Sequence, residues 1–273
     1  MIIAPLAPEE KPAILAELEA LEKQPTNGWD VKYPTLFKAL TDAVASAAGQ
    51  LNMPAPGLVI QCKGLWTPNA LAMIFPGNVT QMHLGAHFLK TYFLCTDEHT
   101  ADQRHAFFEW VLMHELSHLA DPAFKFYAQH RQFFQYASAA GVMLIEVGVI
   151  GYWVPVIPMW PLLGLGAALV IASKFALKWA HYRFEYTADA GATRALRPCN
   201  LTVIESGLKN IVKESEAIAE YIARESNVYG SGLLGRCYIA WKARKFKQSI
   251  TAFHPPLAKR MQAIMAINNQ TPR

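Results

Sequence analysis

Residues 114 to 118 read His-Glu-Leu-Ser-His, an HExxH motif. On an α-helix of about 3.6 residues per turn, His114 and His118 fall on one face a turn apart, so both imidazoles can reach one zinc ion at about 2.0 to 2.1 Å. Glu115 lies beside them. It can take a proton from a water molecule whose pKa zinc lowers to about 7. A catalytic zinc site of this kind needs a third protein ligand and leaves one position for water or substrate. The segment His-Tyr-Arg-Phe-Glu-Tyr-Thr-Ala-Asp-Ala-Gly-Ala, residues 181 to 192, offers one. Glu185 and Asp189 stand four apart on one helix face, where Glu185 can ligate and Asp189 can accept the outer N–H of a ligand histidine. His181 is a rival ligand, and a helix with two satisfied core histidines is the plain alternative for His114 and His118.

These residues need elements to hold them. From Thr100 the apolar spacing is helical, with Thr100 and Gln103 at capping-box distance and Asp121-Pro122 as the stop, which puts the motif on a helix. Helices are expected over residues 13–23 and 35–48, around Glu185, over 201–223, and after Pro255-Pro256. Short runs at 57–63, 69–75 and 79–84, bounded by Gly, Pro and Asn, suggest a small sheet. The fold class is therefore mainly α with a small β-sheet (α+β). Residues 1–56 form an N-terminal helical extension and 57–273 the main domain.

That domain is interrupted. Between Ala139 and Ser173 the only charged side chain is Glu146, and hydrophobic residues make up 52% of the chain against 17% charged, more than a core of this size absorbs. A crossing needs about 20 apolar residues, and splitting the run at its proline-rich middle gives two such arms, Phe133–Val154 and Trp160–Trp179. The expected element is a hydrophobic, transmembrane hairpin over 133–179. Trp153 and Trp160 stand at its turn, and Trp179 and Tyr182 at its open end. Lys125, Arg131, Lys174, Lys178 and Arg183 all flank the open ends, so the positive-inside rule keeps both flanks in the cytoplasm. A crossing number that is even lets His118 and Glu185 share a metal. Glu146 is expected to face protein or a water-filled cavity. The start, MIIAPLAPEEKP, lacks the basic flank and apolar run of a secretory signal.

The HELSH, EYTADAGA and FHPPLAKR segments, in that order, resemble the HtpX-like and CAAX-prenyl-protease-like integral-membrane zinc metallopeptidases of the gluzincin group, over roughly residues 57–268. The resemblance implies a zincin-type metallopeptidase domain and one zinc ion per chain. It implies His114, His118 and Glu185 as ligands, Glu115 as general base, Asp189 as a supporting carboxylate and His254 near the reacting carbonyl. Thr67–Phe75 resembles that family's Asn-Ala strand beside the cleft, so Asn69, Ala70, Leu71 and Ala72 would receive an extended polypeptide by β-augmentation. An ordinary buried strand is the other reading. Bacterial HtpX-type members begin with two membrane helices; residues 1–56 contain no such segment.

His254 precedes two prolines that rigidify the chain, so it could hold an oxyanion, or simply open a helix. Gly235–Lys247, basic with interleaved aromatics, could lie on anionic lipid or be a solvated face; with a net charge of +4, nucleic acid is not expected. His83 and His87 are expected to be packing or surface residues. Cys62, Cys95, Cys199 and Cys237 have no paired spacing and are read as thiols. The expected function is a zinc-dependent endopeptidase of the inner (cytoplasmic) membrane, with its catalytic domain on the cytoplasmic side and the lipid bilayer and a polypeptide as partners. Its rivals are a non-catalytic zinc-stabilised membrane scaffold or holdase, and a soluble metallopeptidase with a buried hairpin.

Overall fold

The computed structural model describes residues 3, 6–23, 33–62, 69–95, 100–154, 159–228 and 254–270. It is mainly helical with one small sheet, and it divides into two compact units, Met1–Asp121 with Glu185–Arg273, and Pro122–Phe184.

In the first unit, α1 (Lys11–Glu22) and α2 (Pro34–Gln50) carry prolines in their first turns, where the missing N–H costs nothing. They pack on each other through Ile14, Leu18, Leu36 and Leu40, all fully buried, and α2 also packs on the central helix described below. The residues read as an N-terminal extension thus share one hydrophobic core with the rest of this unit. Three strands follow, β1 (Gly57–Gln61), β2 (Ala70–Phe75) and β3 (Val79–Gly85), in the order β1-β3-β2. β1 runs parallel to β3, pairing Val59 with His83, and β2 runs antiparallel to it, pairing Ala72 with Met82. The β2–β3 turn needs left-handed backbone, supplied by Gly77 at φ +81°. Alternation puts Met82 and Leu84 in the core, while His83 sits between Gln61 and Gln81.

A short turn, α3 (Ala86–Phe88), runs through a π-helical segment, Leu89–Leu94, towards α4 (Ala101–Ala120). α4 is the pillar of the unit: from Phe107 to Leu119 every residue is buried. Helix α7 (Leu201–Val228) packs on α4 where Gly207 lies under the Phe107 ring, so close that a Cβ would meet the ring at 2.4 Å. Helix α8 (Leu257–Asn268) packs on α7, and the Arg197 guanidinium donates to the carbonyls of Ile267 and Gln270 at its end. Thr100 makes no side-chain cap hydrogen bond to α4, so the capping box expected there does not form.

The second unit holds α5 (Pro122–Ile150) and the first part of α6 (Met159–Ala195). Among the described residues one helix, α6, is long and apolar enough to cross a membrane; α5 qualifies only if its two parts, bent by 41° between His130 and Gln135, count as one span. The second arm and the Glu185 segment, expected as separate helices, form one unbroken helix, because no Gly or Pro stands between Ala167 and Ala190 to stop it. Gly141 and Gly166 bring α5 and α6 together, a Cβ on Gly166 meeting Gly141 O at 2.6 Å. The opposite faces stay open: Phe133, Tyr136, Trp153, Trp160, Phe175 and Trp179 are 62 to 79% exposed. Glu146 also lies on an exposed face, so of the two surroundings expected for it, protein or a water-filled cavity, protein is not the one found, because two helices sharing one seam shelter only that seam. The middle of the hairpin turn and the basic Gly235–Lys247 stretch fall outside the described residues.

Candidate metal centre

Burying α4 on all sides forces its polar side chains to find partners, since an unpaired buried polar group costs roughly 1 to 3 kcal/mol. They form two sets. His105 and Glu109, near the start, clasp one residue: Glu109 accepts the Ile3 N–H at 2.7 Å, and His105 Nε2 lies 3.1 Å from Ile3 O. His114 and His118, a turn and more further on, meet Glu185 of α6, while Glu115 between them turns to the sheet.

Close approach of the two helices is a matter of size. A Cβ on Gly191 would lie 2.3 Å from Ser117 Oγ, so only glycine there lets α6 come down against the HELSH turn. Ser117 itself donates to Met113 O at 2.7 Å, which turns its hydroxyl back along α4. With the backbones this near, Glu185 reaches both imidazoles. Its Oε1 lies 3.6 Å from His118 Nε2 and its Oε2 3.8 Å from His114 Nε2. One ligand atom from each of these three buried residues lies within 4.8 Å of the others, a group that could hold a metal ion.

The surroundings fit a cation. His114 Nδ1 lies 3.0 Å from Asp189 Oδ1, on the side of the ring away from Glu185, where a carboxylate can support an imidazole whose Nε2 meets a cation. Trp110 stacks on the His114 ring at 5.3 Å, and the His114 and His118 rings meet edge to face at 4.8 Å. Two nitrogens and one carboxylate oxygen make a donor set suited to zinc and its transition-metal neighbours rather than to calcium or magnesium. Glu115 faces β2, where its Oε2 accepts the Ala72 N–H at 2.7 Å. That N–H points away from β3, along the outer edge of the strand.

Two more side chains enter from the chain that opens α8. His254 Nδ1 lies 2.9 Å from Glu185 Oε2, with its side chain 46% exposed, and Arg260 Nη1 lies 3.2 Å from the same oxygen. Arg260 also grips Asp189 with both edges of its fork, Nε to Oδ2 at 2.9 Å and Nη2 to Oδ1 at 2.7 Å. These contacts set the charges. Burial works against ionised Glu185, but His254, Arg260 and His118 outweigh it and hold its carboxyl well below the usual range. Asp189 behaves alike: burial opposes its charge, and Arg260 and His114 reverse the balance and depress it. Burial pulls His118 down, yet Glu185 beside it outweighs that and raises it, and Glu185 likewise raises His254.

The three motifs therefore meet. His114, Glu115, His118, Glu185, Asp189 and His254 lie around one buried point, and Ala72 touches it through Glu115. The other strand residues lie aside. Asn69 Oδ1 accepts the Ala70 N–H, Asn69 O accepts the Gly85 N–H, and Leu71 pairs with His83. His181, the rival ligand, is outside the donor group among the described residues; its Nε2 lies 3.1 Å from Tyr127 Oη. His83 and His87 do not converge, His87 Nε2 lying 3.5 Å from Glu214. Arg260 and Gly191 are the two site residues that no motif singles out. A signal existed for both: Arg260 stands six residues after His254, and Gly191 six after Glu185.

Comparison of the chain with family models, with curated proteins and with solved structures finds no match in any of the three.

Proposed function

We propose that this protein is a zinc-dependent endopeptidase of the HtpX-like, gluzincin type, anchored in a membrane by the α5–α6 hairpin. The observation that carries this reading is the buried His114–His118–Glu185 donor group with a further carboxylate, Glu115, on the same helix turn. A zinc ion held by those three residues would polarise a peptide carbonyl and acidify water. The rest falls to the chain's own side chains. Glu115 takes a proton from the attacking water as the carbon–oxygen bond forms, then gives it to the amine as the carbon–nitrogen bond breaks. His254, half exposed beside Glu185, is placed to steady the developing oxyanion. Asp189 keeps the His114 ring oriented.

The substrate is proposed to be an extended polypeptide lying along the outer edge of β2, at Asn69 to Ala72. The Ala72 N–H on Glu115 ties that strand edge to the proposed base, and a substrate main chain would have to replace this bond to pair there. The apolar faces of α5 and α6 and the basic residues at the hairpin's open end favour a bilayer partner, with the catalytic unit on the cytoplasmic side.

The test is zinc content measured together with cleavage of an unfolded protein, for wild type, His114→Ala and Glu185→Ala. Stoichiometric zinc and cleavage in wild type, both lost in the variants, is the expected result. Zinc without any cleavage, in wild type, would favour a structural site and end the peptidase reading.

A further inference from the structure

Trp110, His114 and His118 stand four residues apart on α4, so His114 has one ring a turn before it and another a turn after it. The two neighbours approach it differently. His118 meets it edge to face, with the ring planes 88° apart, whereas Trp110 lies nearly parallel to it, the centroids 5.3 Å apart and the planes at 28°. Phe107 extends the stack, 6.3 Å from Trp110 at 13°. Orienting an imidazole takes two restraints, because the ring swings about χ1 and rotates about χ2. Asp189, 3.0 Å from Nδ1, restrains the direction in which the ring points, and a flat surface against its face restrains the rotation. Trp110 supplies that surface.

An indole here carries a penalty that a phenyl ring avoids. Trp110 is 1% exposed, and its N–H is buried with no acceptor among the described residues. Its advantage is an electron-rich face, the best among the aromatic side chains for attracting positive charge within about 6 Å. His114 gains positive charge when its Nε2 binds a metal ion, and that ring is the one the indole covers. We propose that Trp110 is a positioning residue of the metal centre: it holds the plane in which the His114 imidazole meets the cation and stabilises the charge that coordination places on the ring. The role rests on the metal-dependent reading of the site, but it concerns affinity, which is separable from turnover.

Zinc affinity, measured in detergent by competition with a chelator, is the first readout. Trp110→Phe keeps a flat ring with a weaker face, and its affinity is expected to fall by less than about 3-fold. Trp110→Leu stays apolar and removes the face, and a fall of about 5- to 30-fold is expected. Both are measured well below their own metal-free unfolding temperatures, so that lost packing alone does not register as lost affinity. A Leu variant that binds zinc as tightly as wild type overturns the proposal. The second readout does not need that variant to fold. Zinc absorbs no near-ultraviolet or visible light, so a change in tryptophan emission on binding reports an indole close to the new charge. Wild type is expected to show such a change, complete at one zinc per chain. Trp110→Phe, which keeps every other tryptophan of the seven, is expected to bind zinc without it. The same change in both proteins, or none in zinc-loaded wild type, overturns the proposal. Zinc uptake without cleavage ends the peptidase reading and leaves the role of Trp110 intact; wild type that takes up no zinc brings down the metal centre and that role with it.

Discussion

Glu115 and Asp189 are both carboxylates beside the histidines of the candidate metal group, yet their partners differ. Glu115 has one oxygen on a backbone N–H, and the HExxH spacing keeps it next to the donor group. Glu115→Gln keeps the shape and removes the proposed base, so under the peptidase proposal zinc should stay bound while cleavage falls by about 100- to 10,000-fold; turnover close to wild type would contradict the assignment. Asp189 is buried completely and bonded on both oxygens by Arg260. Asp189→Asn breaks the charge pair and lets an N–H face His114, so zinc affinity should drop by about 10- to 100-fold in competition with a chelator. An affinity equal to wild type would show that the contact does not orient the ring.

How these side chains meet is decided by helices and the spaces between them. Gly191 is the narrowest point, where any Cβ collides with Ser117. Gly191→Val should push α6 off α4, costing about 1 to 3 kcal/mol in stability, with zinc affinity falling alongside. Thermal unfolding and metal titration of the same sample check this, and a variant with normal zinc binding would mean that the helices need not touch. Some of this was legible beforehand. The strands, α1, α2, α4 and α8 follow from apolar periodicity and from Pro and Gly punctuation, and their observed bounds lie within a few residues of the expected ones. The length of α6 was not, because a chemical boundary between apolar and charged residues need not be a backbone boundary.

Across the chain as it folds, two kinds of surface matter. The open aromatic and aliphatic faces of the α5–α6 hairpin would be an aggregation liability in water, so the protein should sediment with membranes and resist alkaline carbonate extraction. Recovery in the soluble fraction would remove the membrane from the proposal. The unit that carries the site has its own response to pH. Burial pushes the Cys199 thiol from 9.0 up to about 11 and, with Glu214 nearby, the Tyr92 hydroxyl from 10.0 up to about 12. Both folded values are raised, so their contribution to stability is complete below about pH 9, where folded and unfolded chains alike are protonated. It disappears as pH climbs towards 12, because the unfolded chain ionises first. Urea midpoints in detergent should therefore fall over that window, and Cys199→Ala should remove the part of the fall that lies between about 9 and 11. A flat profile would mean these groups are solvated.

The sequence by itself determined the chemistry on offer. HExxH spacing puts two imidazoles and a carboxylate on one helical turn, Glu185 and Asp189 share a face four residues apart, and an apolar run with one charge, Glu146, demands a non-aqueous neighbour. Those are local consequences of helix period and side-chain type. Only the tertiary structure decided that Glu185 rather than His181 joins the histidines, that the Ala72 N–H closes on Glu115, and that Arg260 grips Asp189 and Glu185 together. These are contacts between residues 43 to 75 apart in the chain, and they depend on how closely two backbones approach, which a missing Cβ at Gly191 permits. Periodicity fixes which face a side chain occupies; it carries no information about which other face will be brought against it.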